Sequence, residues 1–166
     1  SHKPYEFDAK IYERRVYNGY QHEKLDTELR YGPNIKDWPK MYPMQEDMLL
    51  ELAAVIHDPV TTTDELIPSG ETSSYRSNPL RLSEFTLSRR APEYVGRSKA
   101  VAAQETARRA GELSPHLRTV LSAVGDADAL APETQFGSCL FANKPGDGSA
   151  REQAASCQKV LGGFGN

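Results

Sequence analysis

The sequence is poor in the residues that build metal sites and disulfide frameworks. It has two cysteines, Cys139 and Cys157, and four histidines, none of them in HxxH or HExxH spacing. Two cysteines fall short of the three or four that usually hold an iron–sulfur cluster, and the histidine spacing argues against a zinc site. We therefore expect no metal ligands in this chain, and two free thiols in a reducing cytoplasm.

A broad excess of basic charge and a long apolar run are also missing. The chain has 20 basic and 23 acidic residues and a net charge of −3, which argues against nucleic acid as a partner. No stretch approaches the roughly 20 apolar residues of a membrane helix, so we expect no membrane partner. What is present, 166 residues with 38% hydrophobic side chains, is enough for one domain or slightly more.

Residues 1–47 are rich in aromatic residues, proline and charge. The aromatic residues that mark this segment are Tyr5, Tyr12, Tyr17, Tyr20, Tyr31, Trp38 and Tyr42. Two interpretations stay open: an extended arm that lies over a larger surface through these rings, or an irregular lead-in. We assign 1–47 as an N-terminal arm or linker and 48–166 as the folded domain.

The domain begins with an apolar segment, residues 48–56, which predicts a buried strand that ends before Pro59. Residues 60–80 carry turn-forming residues and predict loops, which often hold functional groups. Residues 81–110 have helical composition that Pro92 interrupts, with the clearest helix over 95–110.

The second half of the domain predicts a helix, a strand and another helix. Gly111 is a plausible helix stop, and Ser114 followed by proline predicts the start of the next short helix. Residues 138–142 form a short apolar run that suits a buried strand. A glycine-rich loop follows, and residues 151–161 have helical composition. This order is one that presents backbone N–H groups to an anion.

Ser149 lies in that glycine-rich loop and has two possible roles. Gly146 and Gly148 permit unusual backbone angles and the close approach of a ligand. Ser149 could be the N-cap of the following helix, with Glu152 completing a capping box. It could instead be a reactive serine whose alkoxide is stabilised by the helix dipole and by Arg151.

Two other polar segments offer candidate site residues. Asp64 follows three threonines, as helix caps and Asx-turns often do, but it could also orient an arginine or a serine. Arg76 lies in a polar turn and offers a planar fork that fits a carboxylate. We interpret the neighbouring basic residues as a solvated helix face: Arg81, Arg89, Arg90, Arg97 and Lys99.

Taken together, these segments resemble one family. Residues 62–70, TTDELIPSG, resemble the threonine–aspartate motif that opens the swivelling domain of aconitases. Arg76 follows Asp64 by twelve residues, as does the family's carboxylate-binding arginine. Residues 148–155, GSAREQAA, resemble the family's glycine-serine-serine-arginine-glutamate-histidine-alanine motif.

The resemblance implies a role for each matched residue. Ser149 would be the catalytic base that removes a proton from the carbon beside a substrate carboxylate. Arg151 would stabilise its alkoxide, and Asp64 would complete the polar network. Arg76 would bind a carboxylate of the substrate.

Gly148 and Ala150 would complete the substrate-binding part of the site. Ala150 stands where the family has a second serine, and Gln153 stands where it has histidine. The substrate is therefore expected to be a hydroxycarboxylic acid whose identity the sequence leaves open.

The fold that the resemblance implies is α/β: a three-layer swivelling domain of the β/β/α type, with a small mixed sheet flanked by helices. Residues 48–166 would be such a domain, truncated at its C-terminus. A [4Fe-4S] cluster would lie on other domains of the full-length enzyme, without ligands from this chain. The chain alone would be inactive as a hydro-lyase. The alternative from the residues is a non-catalytic module that binds phosphate or another anion through the loop from Gly146 to Arg151.

Overall fold

The computed structural model describes residues 3–14, 19 and 21–166, and the chain divides into two compact units, 1–31 and 32–166. In the first unit, the described residues form one short helix, α1 (Lys10–Glu13), with no buried residue. The Asp8 carboxylate accepts a hydrogen bond from the N–H of Lys10. Tyr17 and Tyr20, two of the rings assigned to the arm, lie outside the described residues.

The second unit contains a three-stranded sheet of order β1-β3-β5. Its strands are β1 (Asp47–Ile56), β3 (Thr134–Ala142) and β5 (Gly163–Gly165). β3 pairs in parallel with both neighbours, because helical crossovers separate the strands in the chain. The predicted strand over 48–56 is confirmed, and so is the α/β class with small sheets flanked by helices. The expected mixed sheet is wrong, since every strand pair in the described residues is parallel.

A second, two-stranded sheet continues directly from the first. β1 leads through residues 57–60 into β2 (Thr61–Thr62), and β3 leads into β4 (Pro145–Asp147). β2 and β4 pair in parallel, and the N–H of Thr61 donates to the Lys144 carbonyl at 2.9 Å. The segment that contains β1 and β2 therefore runs beside the segment that contains β3 and β4 through both sheets. The residues that follow these segments, from 63 and from 148, leave the second sheet at the same edge.

Six further helices belong to the second unit, with a single 3-10 turn at Ser73–Tyr75. They are α2 (Thr63–Leu66), α3 (Pro79–Ser83), α4 (Glu93–Arg109), α5 (Pro115–Ser122), α6 (Ala127–Leu130) and α7 (Gln153–Val160). The predicted stop at Gly111 is confirmed by its left-handed backbone, with φ of +87°. The predicted start at Ser114 is confirmed by its hydroxyl, which accepts from the N–H of Leu117 at 3.1 Å.

The core of the second unit lies where α4 and α7 cover one face of the main sheet. Buried residues that share this cluster include Ala53, Ile56, Leu66, Leu87, Tyr94 and Leu140. On the opposite face of the sheet, Leu52, Val55 and Phe141 are exposed. Burial of the first face fixes the position of β1 and β3, and β2 and β4 follow directly from these two strands.

Residues 32–46 have no regular structure but contact the rest of the second unit at several points. The N–H of Lys36 donates to the Ser77 carbonyl at 2.8 Å, and that of Gln45 to the Gln135 side chain at 3.0 Å. These residues cluster with 32–166 rather than with 1–31. The assignment of 1–47 as an arm and 48–166 as a truncated swivelling domain stays a prediction.

Candidate functional site

The Thr62–Glu65 turn fixes one side of the candidate site. Thr62 is the N-cap of α2: its hydroxyl accepts from the N–H of Glu65 at 3.2 Å, and the Glu65 carboxylate accepts from the N–H of Thr62 at 2.8 Å. This reciprocal pair is a capping box, which satisfies two of the free donors at the helix start. Of the two roles considered for Asp64, the cap is not formed, because Thr62 caps α2 and the Asp64 side chain is available to other partners.

Asp64 is the acceptor at the centre of the site. Its Oδ1 accepts from the Ser69 N–H at 3.0 Å and from the Ser69 hydroxyl at 2.8 Å, and lies 3.3 Å from Arg151 Nη2. Its other oxygen lies 3.7 Å from Arg89 Nη1. The Ser69 hydroxyl, the Ser69 N–H and the Arg151 guanidinium lower the pKa of this carboxyl, so Asp64 is ionised at neutral pH.

The loop from Gly146 to Ser149 forms the opposite side of the site. Gly146 and Gly148 have φ of +83° and +102°, a backbone region that disfavours larger residues. At Gly148 the chain passes close to α2, since a Cβ added there would lie 3.8 Å from the Thr63 hydroxyl. The two glycines therefore turn the chain out of β4 and bring the following residues alongside α2.

Ser149 and Ala150 are exposed in this loop, and the structure gives Ser149 no hydrogen bond to any described residue. α7 begins at Gln153, with Glu152 as its N-cap and without a side-chain cap. Of the two roles considered for Ser149, the capping box with Glu152 is therefore not formed. Arg151, which that capping box would have placed in the first turn of the helix, lies in a loop against α2.

Arg151 connects this loop to α2. Its Nη2 lies 3.4 Å from the Thr63 hydroxyl and 3.3 Å from Asp64, and its side chain is 24% exposed. The guanidinium is therefore largely out of solvent but keeps donors that none of these contacts uses. Of the predicted site residues, Asp64 and Arg151 are in direct contact.

Arg76 reaches the same site through a cavity of about 160 Å³. The residues that line this cavity are Ile67, Pro68, Ser69, Thr72, Arg76, Leu82, Arg151 and Gln153. Arg76 is exposed, and it has no ion pair or hydrogen bond in the part of the chain that the structure describes. Two arginines and three apolar side chains thus line a space whose size suits a small carboxylic acid. Gly148, Ser149 and Ala150 are not in the cavity lining.

Four residues of the site were missed or misjudged from the sequence. Ser69 and Thr63 bind Asp64 and Arg151, but serines and threonines in turns are too common to single out. Gln153 was noted as a departure from a motif, not as part of a cavity. Arg89, interpreted as part of a solvated face, pairs instead with Asp64 and with Glu71 at 3.5 Å.

The described residues do not fit an iron–sulfur cluster. Among residues 3–14, 19 and 21–166, no three His, Cys, Asp or Glu side chains are grouped to hold a metal ion. Cys139 and Cys157 are both free thiols. Burial, and secondarily the charge of Glu152, raises the pKa of Cys157 to about 12, which opposes its use as a thiolate ligand. We assign no chemical step in this chain to a cluster.

No helix within the described part of the chain is both long and apolar enough to cross a membrane. Comparison with protein-family models, with curated proteins and with solved structures found no match to this chain. The candidate function therefore depends on the contacts described above and on the motifs that supply them.

Proposed function

We propose that this chain is the catalytic-serine domain of an aconitase-like hydro-lyase, which adds water to, or removes it from, a hydroxycarboxylic acid. The observation that supports this most directly is the contact between Asp64 and Arg151 beside the cavity that Arg76 lines. Three sequence segments that resemble one family's motifs meet at one place, although they are far apart in the chain. If each segment had only a local role, as a helix cap, a turn or a solvated arginine, the three would have no reason to lie together.

The roles follow from the chemistry of the groups. Arg76 binds a substrate carboxylate through its planar fork, and no ion pair with a described residue competes for it. Ser149, as the alkoxide, takes a proton from the carbon beside that carboxylate and becomes a hydroxyl. The electron pair left on that carbon forms the C=C bond as the hydroxyl on the next carbon leaves as hydroxide, which the cluster of the other domains would bind. The alkoxide of Ser149 is stabilised by the positive charge of Arg151, and Asp64 holds Arg151 in place through the 3.3 Å contact.

The substrate-binding loop differs from the family at Ala150, which offers a methyl group in place of a hydroxyl. Gly148 allows the backbone to come close to a ligand, and Gln153 adds an amide to the cavity wall. The substrate is therefore a small hydroxycarboxylic acid that does not depend on a donor at position 150. The cluster that the family uses would belong to other domains, so the chain alone is expected to be inactive.

A binding experiment on the 166-residue chain tests the carboxylate site. We expect citrate or malate to bind in the millimolar range by calorimetry, and Arg76→Gln and Arg151→Gln each to weaken binding by about tenfold. Arg30→Gln is the matched control, since Arg30 is exposed and belongs to the other unit. Equal affinity in all four proteins would contradict the proposal.

The catalytic step needs the chain together with cluster-bearing domains. There, Ser149→Ala is expected to abolish turnover while citrate or malate binding to the chain stays unchanged. Turnover that persists in Ser149→Ala would exclude Ser149 as the base.

One observation favours a second candidate, a non-catalytic module that binds anions. Ser149 does not line the cavity that holds the two arginines, so the cavity can bind an oxyanion without it. This function predicts that inorganic phosphate competes with citrate for the Arg76 site. It also predicts that no combination with cluster-bearing domains gives turnover.

A further inference from the structure

A second cavity, of about 700 Å³, lies at the C-terminal end of α4 and shares no lining residue with the first. It is bounded by the end of α4, by α5 and α6, and by the irregular segment that precedes β1. The charged residues in its lining are three arginines and one aspartate: Arg108, Arg109, Arg118 and Asp128. None of them belongs to the site proposed above.

Glu105, the only carboxylate that pairs with Arg108 or Arg109 among the described residues, has no acceptor capacity left for a further cation. Its Oε2 accepts from Arg108 Nε at 2.7 Å and from the N–H of Phe136 at 2.9 Å. Its Oε1 accepts from Arg108 Nη2 at 2.8 Å and from Arg109 Nε at 2.6 Å. A buried carboxylate with four donors is saturated, so one negative charge is shared between two guanidinium groups.

Arg108 and Arg109 differ in how many of their guanidinium N–H donors remain unused. Arg108 is buried, and its outer nitrogens also donate to Gln45 and to backbone carbonyls. Arg109 uses only its Nε, and its Nη2 is buried without a partner in the described part of the chain. The Tyr42 ring lies over the guanidinium, 4.2 Å from Cζ, and holds it by one face. Arg109 therefore keeps unused donors on its outer nitrogens, and its charge is only partly balanced, because it shares Glu105 with Arg108.

Arg118 provides a second partial cation at the same cavity. Its Nη1 pairs with Asp128 at 2.9 Å, and its side chain is half exposed. The cavity and its ion-pair partners thus contain three arginines and two carboxylates. This excess positive charge lies in a concave space large enough for a small ligand.

We propose that this cavity is a binding site for an oxyanion group, phosphate or carboxylate, held by Nη1 of Arg109 and by the guanidinium of Arg118. The planar guanidinium of Arg118 matches the two oxygens of either group, and Arg109 adds a single donor. The Asp128 carboxylate occupies Arg118 when no ligand is bound, and the ligand takes its place. The segment that contains Tyr42 and Gln45 closes one wall, and it keeps Arg109 from turning to solvent.

The test is titration of the 166-residue chain at low ionic strength with inorganic phosphate and, separately, with acetate. We expect saturable binding of at least one anion, weakened by about tenfold in Arg109→Gln and in Arg118→Gln. Asp128→Asn removes the competing carboxylate and is expected to tighten binding. Binding of phosphate alone identifies a phosphorylated ligand, and binding of acetate alone identifies a carboxylic acid.

Arg118→Gln is expected to keep the fold, because Arg118 is half exposed and pairs with Asp128 at the surface, not with Glu105. A loss of binding in this variant is therefore not explained by unfolding. Its far-ultraviolet circular dichroism should match that of the parent chain. Arg76→Gln is the matched control for the first cavity and should leave this site unchanged. The proposal is overturned if neither anion binds saturably in the millimolar range, or if the affinity is the same in the parent chain and in both Arg109→Gln and Arg118→Gln.

Discussion

Arg151 and Asp64 are separated by 87 positions in the sequence, yet the guanidinium Nη2 lies 3.3 Å from the carboxylate Oδ1. The parallel pairing of β2 with β4 makes this possible, because each strand delivers its next residues to the same edge. The contact joins the segment that contains Asp64 to the segment that contains Ser149. It is the structural basis of the proposed site.

The titration of Asp64 is expected to depend more on Ser69 than on Arg151. The Ser69 hydroxyl is the largest influence that lowers the pKa of Asp64 below its ordinary value of 3.8. Ser69→Ala should therefore raise this pKa further towards 3.8 than Arg151→Gln does. Carbon-detected NMR of the Asp64 carboxyl over an acid titration measures both changes. A larger rise in Arg151→Gln would show that charge, rather than hydrogen bonding, dominates.

Substitutions at Thr62 and Ser149 are expected to have unequal effects on stability. Thr62→Ala removes the capping box of α2 and should cost about 1 kcal/mol in the free energy of unfolding. Ser149→Ala should change it by no more than about 0.5 kcal/mol, since Ser149 is exposed and caps no helix. Urea denaturation compares the two variants with the parent chain. A loss in Ser149→Ala as large as that in Thr62→Ala would restore Ser149 as a helix cap.

Glu105 is expected to be the most sensitive carboxylate for stability. Glu105→Gln leaves Arg108 buried without its counter-charge and should cost about 3–5 kcal/mol. Glu84→Gln is the control, because Glu84 pairs with Lys99 at the surface and should cost no more than about 1 kcal/mol. Chemical denaturation at neutral pH measures both. Equal small losses would show that Arg108 finds other acceptors.

The ionisation of Glu105 also determines how the free energy of unfolding is expected to vary with pH. Burial by itself raises the pKa of Glu105, but hydrogen bonds from Arg108, from the Phe136 N–H and from Arg109 outweigh it and lower the pKa below 4.5. Because the pKa is lower in the folded state, the stabilisation is complete above pH 4.5 and is lost as the pH falls through the folded value. The free energy of unfolding of Glu105→Gln should therefore fall less steeply with acid than that of the parent chain.

Cys157 is expected to resist thiol reagents while the protein is folded. Its side chain is buried, and its pKa is raised to about 12, so almost no thiolate is present at pH 8. In Cys139→Ser, the remaining thiol should react with a disulfide reagent only after denaturation. Fast labelling of the folded variant would show that α7 opens readily.

Much of the local structure could be predicted from the sequence, because short-range chemistry decides it. The apolar run of residues 48–56 predicts the strand β1, although only one face of it is buried, and Ser114 followed by proline predicts the start of α5. The turn after α4 needs a left-handed residue, and Gly111 supplies it. In each case the deciding residues are within a few positions of one another.

The site was only partly accessible from the sequence. Asp64, Arg76 and Arg151 could be selected as candidates by motif spacing, and the structure brings Asp64 to Arg151 and places Arg76 and Arg151 on one cavity. The local interpretation of Ser149 as a helix cap was wrong, because a capping box depends on where the helix begins. The helix begins at Gln153, so Arg151 precedes it and contacts α2 instead.

The sequence by itself determined the strand over residues 48–56, the stop of α4 at Gly111 and the start of α5 at Ser114, and it indicated which polar residues are unusual in their spacing. Tertiary structure alone decided that Ser69 donates to Asp64, that Arg89 lies near it, and that Gln153 shares a cavity with Arg76. It also decided that Glu105 serves two arginines at once. These partners are set by strand register and helix packing between residues far apart in the chain, and no local pattern of residues encodes such distances.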